Sequence, residues 1–214
     1  MSGPKAFVIG DVHGCFDELE ALVHNVDREV ILVGDLVAKG PASAKVVAWA
    51  RERSIRAVRG NHDEHVLRFR RSGTLPKKET HRQVCRELEE ADWRYLESLP
   101  LLLELPALNA VVVHGGLVPG VPLATQDPKH LMNLRSIRAD GTPSTRIEGE
   151  PWASLYEGPA LAVFGHDAVR GLQTHRFAIG LDTGCVYGGK LTGVMLPERT
   201  LRSVDAQAMY VPPT

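Results

Sequence analysis

Five short apolar runs in this chain each end in a glycine- or histidine-bearing motif, and this repeated ending limits the fold more than any other feature. Ala6 to Ile9 runs into Gly10-Asp11-Val12-His13-Gly14, and Val30 to Val33 into Gly34-Asp35-Leu36-Val37-Ala38-Lys39-Gly40. Ile55 to Val58 runs into Arg59-Gly60-Asn61-His62-Asp63. Later, Val111 to Val113 ends in His114-Gly115-Gly116, and Ala162 to Phe164 in Gly165-His166-Asp167. Short apolar runs bounded by turn formers read as buried strands. Between the first three lie helical patterns. Phe16 to Val26 sets Leu19, Leu22 and Val23 on one face, and Ser43 to Arg53 starts at a serine suited to N-capping. A β-α-β-α-β opening implies a parallel sheet with right-handed crossovers.

Beyond it, Glu64 to Arg71 starts a helix and Glu87 to Leu99 is mostly helical. From Leu101 the texture changes to short runs at hairpin spacing: 101–105, 110–113, 161–164, 177–179, 191–196 and 201–204. Residues 139–150 are polar and turn-rich, as in a surface loop. With no repeat, low-complexity tract or linker, the expectation is one α/β domain over 1–214, with two packed mixed sheets flanked by helices.

Bulk properties exclude several classes. A chain of 214 residues can bury a sizeable core. A net charge of −1 gives no global hold on nucleic acid, so no stable nucleic-acid partner is expected. The opening MSGPKAFVIGD is neither a signal peptide nor a membrane span. Three cysteines (Cys15, Cys85, Cys185) make no disulfide framework, which points to a reducing compartment and a cytoplasmic address.

The chemistry sits where strands end. In an open parallel sheet the carboxyl ends of the strands border the ligand crevice. The first three loops therefore bring Asp11, His13, Asp35, Asn61 and His62 together, and two further runs end in His114 and His166. Oxygen and imidazole donors suit manganese, iron(II), cobalt or zinc, while the lack of thiolate pairs argues against a structural zinc. Each piece has a plainer explanation: Gly-Asp after a strand is often only a turn, and an apolar-flanked histidine is often a satisfied core residue. Yet four specified residues such as GNHD arise by chance roughly once in a thousand chains of this length. Five such elements in order outweigh the plainer explanation.

GDVHG, GDxxxKG, GNHD, HGG and GH in this order resemble the metallophosphoesterase signature, in the branch of phosphoprotein phosphatases and diadenosine tetraphosphatases. GDLVAKGP (34–41), LMNLRSI (131–137), FGHDAVRGLQ (164–173) and GLDTGCVYGGKLTGV (180–194) resemble the ApaH-like phosphatases in particular. The resemblance implies a metallophosphoesterase sandwich with two divalent ions, manganese foremost and cobalt, iron(II) or zinc as alternatives. It implies that Asp11, His13 and Asp35 hold one ion. Asp35 bridges to a second, which also takes Asn61, His114 and His166. His62 matches the family's general acid, and a bridging hydroxide is the implied nucleophile. Lys39, Arg135 and Arg59 are the implied phosphate contacts. Arg59 is equally suited to pairing with an acid, and Asp182 to building a turn. Cys15 and Cys185 are expected to pack as small apolar groups.

The segment 68–82 sets Arg68, Arg70, Arg71, Lys77, Lys78 and Arg82 against Glu79 alone. It reads either as a solvated helix end or as a rim that gathers a substrate with several phosphates. Where the resembling phosphoprotein phosphatases carry an aspartate partner for the acid histidine, this chain has Ala38. The implied substrates are dinucleoside tetraphosphates or polyphosphate. The alternatives are a phosphoprotein (Ser/Thr/Tyr) phosphatase, RNA cap hydrolysis, or a nucleotide-binding module without catalysis.

Overall fold

The computed structural model describes residues 3–213. The opening forms as its pattern dictates, with β1 (Ala6–Ile9), α1 (Phe16–Val23), β2 (Glu29–Leu32), α2 (Ser43–Glu52) and β3 (Arg56–Ala57). Strand β1 pairs parallel with β2, and β2 with β3. Helices α3 (Asn61–Ser72), α4 (Glu79–Glu87) and α5 (Glu90–Ser98) follow. Then come β4 (Leu102–Leu105), β5 (Ala110–Val113) and α6 (Pro128–Asn133), followed by β6 (Ser136–Ile137), β7 (Pro143–Ser144), β8 (Glu150–Pro151) and α7 (Trp152–Leu155). The chain finishes with β9 (Leu161–Phe164), β10 (Gln173–Thr174), β11 (Ala178–Gly180), β12 (Lys190–Leu196) and β13 (Thr200–Asp205).

Two five-stranded mixed sheets result, in the orders β13-β12-β1-β2-β3 and β10-β11-β9-β5-β4. Their facing sides meet in one apolar layer, where Val8, Ile31, Val33 and Val194 of the first pack with Val112, Leu161, Val163 and Ile179 of the second. Strand side chains alternate between faces. The other face of the first sheet therefore carries Phe7, Ile9 and Leu32 to the helices, against Leu19, Leu22, Val46, Val47 and Leu96. On the outer face of the second sheet, Val111, Val113 and Phe164 meet Leu131, Leu134 and Trp152. Apolar layers on both faces explain why these strands read as unbroken apolar runs rather than alternating ones.

The structure departs from the sequence reading in four places. Ser43 is the first helical residue rather than the cap, and its Oγ accepts the Ala38 N–H at 3.0 Å. The basic segment is a helix end and loop through Lys78, but its last four residues begin a further helix, α4, that the charge pattern does not show. Strands β9 and β11 pair in parallel, so their spacing is not that of a hairpin; β4/β5 and β12/β13 are antiparallel as expected. The stretch 139–150 carries β7, which joins β6 and β8 in a small third sheet.

One buried carboxylate ties the loops after β2 and β3 together. Asp63 is 0% exposed and accepts the N–H groups of Leu36 (3.0 Å), Val37 (3.3 Å) and Gly60 (2.9 Å). Its removal strands three buried donors. At about 1–3 kcal/mol for each unsatisfied group, Asp63→Ala is expected to lose about 3–6 kcal/mol of stability in urea unfolding. A loss below about 1 kcal/mol would show that the loops hold without it.

Candidate metal and phosphate site

The loops at the carboxyl ends of β1, β2, β3 and β9 converge on one cavity of about 1030 Å³, lined by Asp11, His13, Asp35, Asn61, His62 and His166 among others. His114, of the loop after β5, is fully buried behind Asn61 and does not line it. The loop backbones are bent for the purpose. His13 (φ 47°), Asp35 (φ 49°) and His166 (φ 69°) all lie in the left-handed region, which non-glycine residues rarely enter. Two glycines permit the close approach. A Cβ on Gly60 would strike the backbone nitrogen and Oδ1 of Asp35, and one on Gly165 would strike Oδ1 of Asp11.

Two imidazoles are locked in the tautomer that a metal requires. Nδ1 of His13 donates to the Val37 carbonyl at 3.1 Å, and Nδ1 of His114 donates to the Val33 carbonyl at 2.9 Å. Each Nε2 lone pair is thereby turned inward. For His114 it faces Asn61 Oδ1 at 3.0 Å and Asp35 Oδ1 at 3.5 Å, so three acceptor atoms crowd together. His13 Nε2 lies 3.4 Å from Asp35 Oδ2, and the Lys39 ammonium donates to it at 2.9 Å. His166 sets Nδ1 2.9 Å from Asn61 Oδ1, while its buried Nε2 has no partner. The backbone N–H of His166 donates to both oxygens of Asp11 (3.1 and 3.2 Å), and that of His62 to Asp35 Oδ1 at 2.8 Å.

Electrostatics point the same way. Burial, with Asp182 and Asp35 beside it, raises the Asp11 carboxyl well above its usual range. Burial raises Asp35 to about 6 even though Lys39 opposes the shift. Burial also lowers His114 to about 4 and pushes His13 and His166 well down. Neutral imidazoles and crowded carboxylates only partly countered by Lys39 form a set that divalent cations satisfy. Asp35 belongs to two groups of ligand atoms within 4.8 Å of one another, with His13 and His62 on one side and with Asp11 and His114 on the other.

The phosphate contacts named from the sequence divide. Arg135 lines the cavity, held by donation to the His166 carbonyl at 2.9 Å, with Nε 3.6 Å from Asp167 Oδ1. Lys39 also lines it, with Nζ 5.1 Å from the Tyr187 ring centroid. Arg59 does not. Its guanidinium donates to Glu64 Oε2 at 3.2 Å and to the Glu97 carbonyl at 2.8 Å, so its expected phosphate contact is replaced by the ion pair that was its alternative. Asp182 builds its turn, accepting the Gly184 N–H at 3.1 Å, and also lines the cavity.

Two residues escaped the sequence reading. His81, buried on α4, sets Nε2 3.0 Å from Nδ1 of His62, and His65 lies beside both rings. Only the apolar periodicity His81, Val84, Leu88 could have flagged the buried face of α4. Cys15 and Cys185 are buried, in keeping with packing roles.

A model of the calcineurin-like phosphoesterase family matches residues 4–190. The bis(5'-nucleosyl)-tetraphosphatase PrpE [asymmetrical] of Bacillus velezensis is 32% identical over 95% of this chain and 93% of its own. That of Bacillus subtilis is 30% identical over 95% of each. A crystal structure of a candidate diadenosine tetraphosphatase superposes with a TM-score of 0.88 at 34% identity, covering 95% of this chain and 94% of that one. A serine/threonine phosphatase from Saccharomyces cerevisiae shares the fold at a TM-score of 0.62 and 19% identity.

Ligand and non-ligand roles separate by metal analysis. Asp35→Asn is expected to deplete both ions, measured by atomic emission on purified protein. His62→Asn should keep near-normal metal content while turnover falls about a hundredfold or more. Equal metal loss in the two variants would place His62 among the ligands.

Proposed function

Because the chain belongs to the calcineurin-like phosphoesterase family, a family of metal-dependent hydrolases, we propose that it is a dinuclear phosphohydrolase that cleaves phosphoanhydrides, dinucleoside tetraphosphates foremost. The observation that carries this reading is the placement of Asp35, one oxygen toward His13 and the other toward His114, as a bridging carboxylate requires. Asp11, His13 and Asp35 would hold one ion, and Asp35, Asn61, His114 and His166 the other. Manganese is the first choice for this oxygen- and imidazole-rich set. When bound, two such ions lower the pKa of water and clamp the oxygens of an in-line displacement.

The protein's own groups do the rest. Arg135 and Lys39 place positive charge on the cavity wall, where phosphoryl oxygens gain negative charge in the transition state. His62 supplies the proton to the leaving oxygen. None of Cys15, Cys85 and Cys185 lines the cavity, so a covalent phosphoenzyme on a thiol is not expected.

Two observations favour an extended polyphosphate substrate. The relatives that cover nearly the whole chain are named for dinucleoside tetraphosphates. The cavity also runs from the candidate ligands along the end of α3 and the segment joining it to α4, where Arg68, Lys77 and Lys78 line it beside Phe69 and Leu75. Arg68 is partly offset by Glu64, its Nε 3.5 Å from Oε1, whereas Arg82 is turned to Glu79 and to the Pro76 carbonyl. Inorganic polyphosphate would use the same basic wall.

Chelation is expected to abolish turnover and Mn(II) or Co(II) to restore it. Reloaded protein should cleave diadenosine tetraphosphate with kcat/KM about a hundredfold above that for a phosphoserine peptide, whose alkoxide leaving group depends most on the acid. Equal values would sink the anhydride reading. Joint replacement of Lys77 and Lys78 by glutamine should weaken diadenosine tetraphosphate turnover more than that of p-nitrophenyl phosphate, with an effect that shrinks at high salt. Arg82→Gln should spare both substrates. An equal loss on both substrates in the double variant would return the segment to a solvated surface.

A further inference from the structure

An imidazolium that donates its Nε2 proton to a leaving group still carries a proton on Nδ1, and that proton needs a fixed acceptor if the ring is to keep its aim. Ala38 cannot provide one: its side chain is a buried methyl group. Asp63, although adjacent in sequence, is engaged with three backbone N–H groups of the loops. The atom that meets His62 Nδ1 is Nε2 of His81, at 3.0 Å. The two rings lie within 17° of parallel with centroids 5.0 Å apart. Nitrogens 3.0 Å apart on rings so widely spaced face each other edge to edge, as in an N–H···N bond, not face to face.

The neighbour is well anchored. His81 is 3% exposed and sits in the first turn of α4, its backbone N–H donating to the Lys78 carbonyl at 3.1 Å. One turn on, Val84 is buried in the core that includes Leu67 of α3. Burial first, then His65, Lys78 and Lys39, lowers the His81 imidazole to about 4, so the ring is neutral. The two lysines also disfavour a third cation among His62, His65 and His81, whose nitrogens are otherwise close enough to hold one.

We propose that His81 is the positioning residue for His62: its Nε2 accepts the Nδ1–H of His62 and so aims the His62 Nε2–H at the leaving oxygen. The inference rests on the general-acid reading of His62. A neutral imidazole in this position supplies the orientation that a carboxylate partner would give, but not its charge. Leaving groups that carry their own negative charge well, such as phosphate chains, suit such an acid best.

The test uses metal-loaded full-length protein with two aryl phosphates, p-nitrophenyl phosphate (good leaving group) and phenyl phosphate (poor one), and metal content as a second readout. His81→Ala is expected to lower kcat on phenyl phosphate at least about tenfold more than on p-nitrophenyl phosphate, with KM and metal content unchanged. His81→Gln, whose Oε1 reaches a similar point, should recover most of that loss. Combined with His62→Asn, His81→Ala should add nothing further. If His62→Asn slows phenyl phosphate while His81→Ala matches wild type, this proposal fails alone; if His62→Asn is harmless, the acid reading falls and takes it along. Equal losses on both aryl phosphates in the alanine and glutamine variants, or loss of a third ion, would also overturn it.

Discussion

The site depends on how Asp35 is held. Its carboxylate lies between His13 and His114, contributed by loops after different strands in different sheets, and the His62 backbone fixes one oxygen from a third loop. None of these neighbours would matter if Asp35 could rotate freely. The left-handed backbone at Asp35 and the bare Cα of Gly60 against it leave the side chain little room to do so. Three expected ligands in left-handed conformations cost about 1–3 kcal/mol each, a strain that surrounding structure must over-determine. Asp63 supplies part of that determination by pinning both loops from behind, and the apolar layer between the sheets supplies the remainder.

Burial then sets the chemistry. Closely packed acids and neutral imidazoles are costly without cations, and two histidines already spend Nδ1 on backbone carbonyls, which leaves only the inward lone pairs. The arrangement therefore carries a demand for positive charge that Lys39 meets in part through His13 Nε2. Beyond the candidate ligands the cavity wall turns basic and partly apolar, with Arg68, Lys77 and Lys78 beside Phe69 and Leu75. Among the described residues no helix is long and apolar enough to cross a membrane.

Much of the cavity was legible in the sequence because its parts are local. A strand end, a glycine and a polar side chain lie within a few residues of each other, so the gathering of Asp11, His13, Asp35, Asn61 and His166 on one cavity could be expected before the fold was known. What could not be read depends on contacts between distant segments. Arg59 adjoins Gly60-Asn61-His62, yet Glu64 and Glu97 turn it away, and nothing in its spacing indicates which way it points. Helix α4 was hidden within a run of charge, where solvent-facing residues dominate the pattern, and His81 was hidden with it. The small sheet of β6, β7 and β8 uses strands of two residues, too short for any period to appear. The parallel pairing of β9 with β11 was masked by spacing that resembles a hairpin.

The central claim is that Asp35 joins two divalent ions in one crevice. Electron paramagnetic resonance of the protein loaded with two equivalents of Mn(II) tests it most directly, since a bridging carboxylate brings the ions to about 3.5–4 Å, where their spins couple. A coupled-pair spectrum in the wild type, lost in Asp35→Asn, is the expected result. Two equivalents bound with only the spectrum of isolated Mn(II), or a single equivalent at saturation, would contradict the dinuclear site.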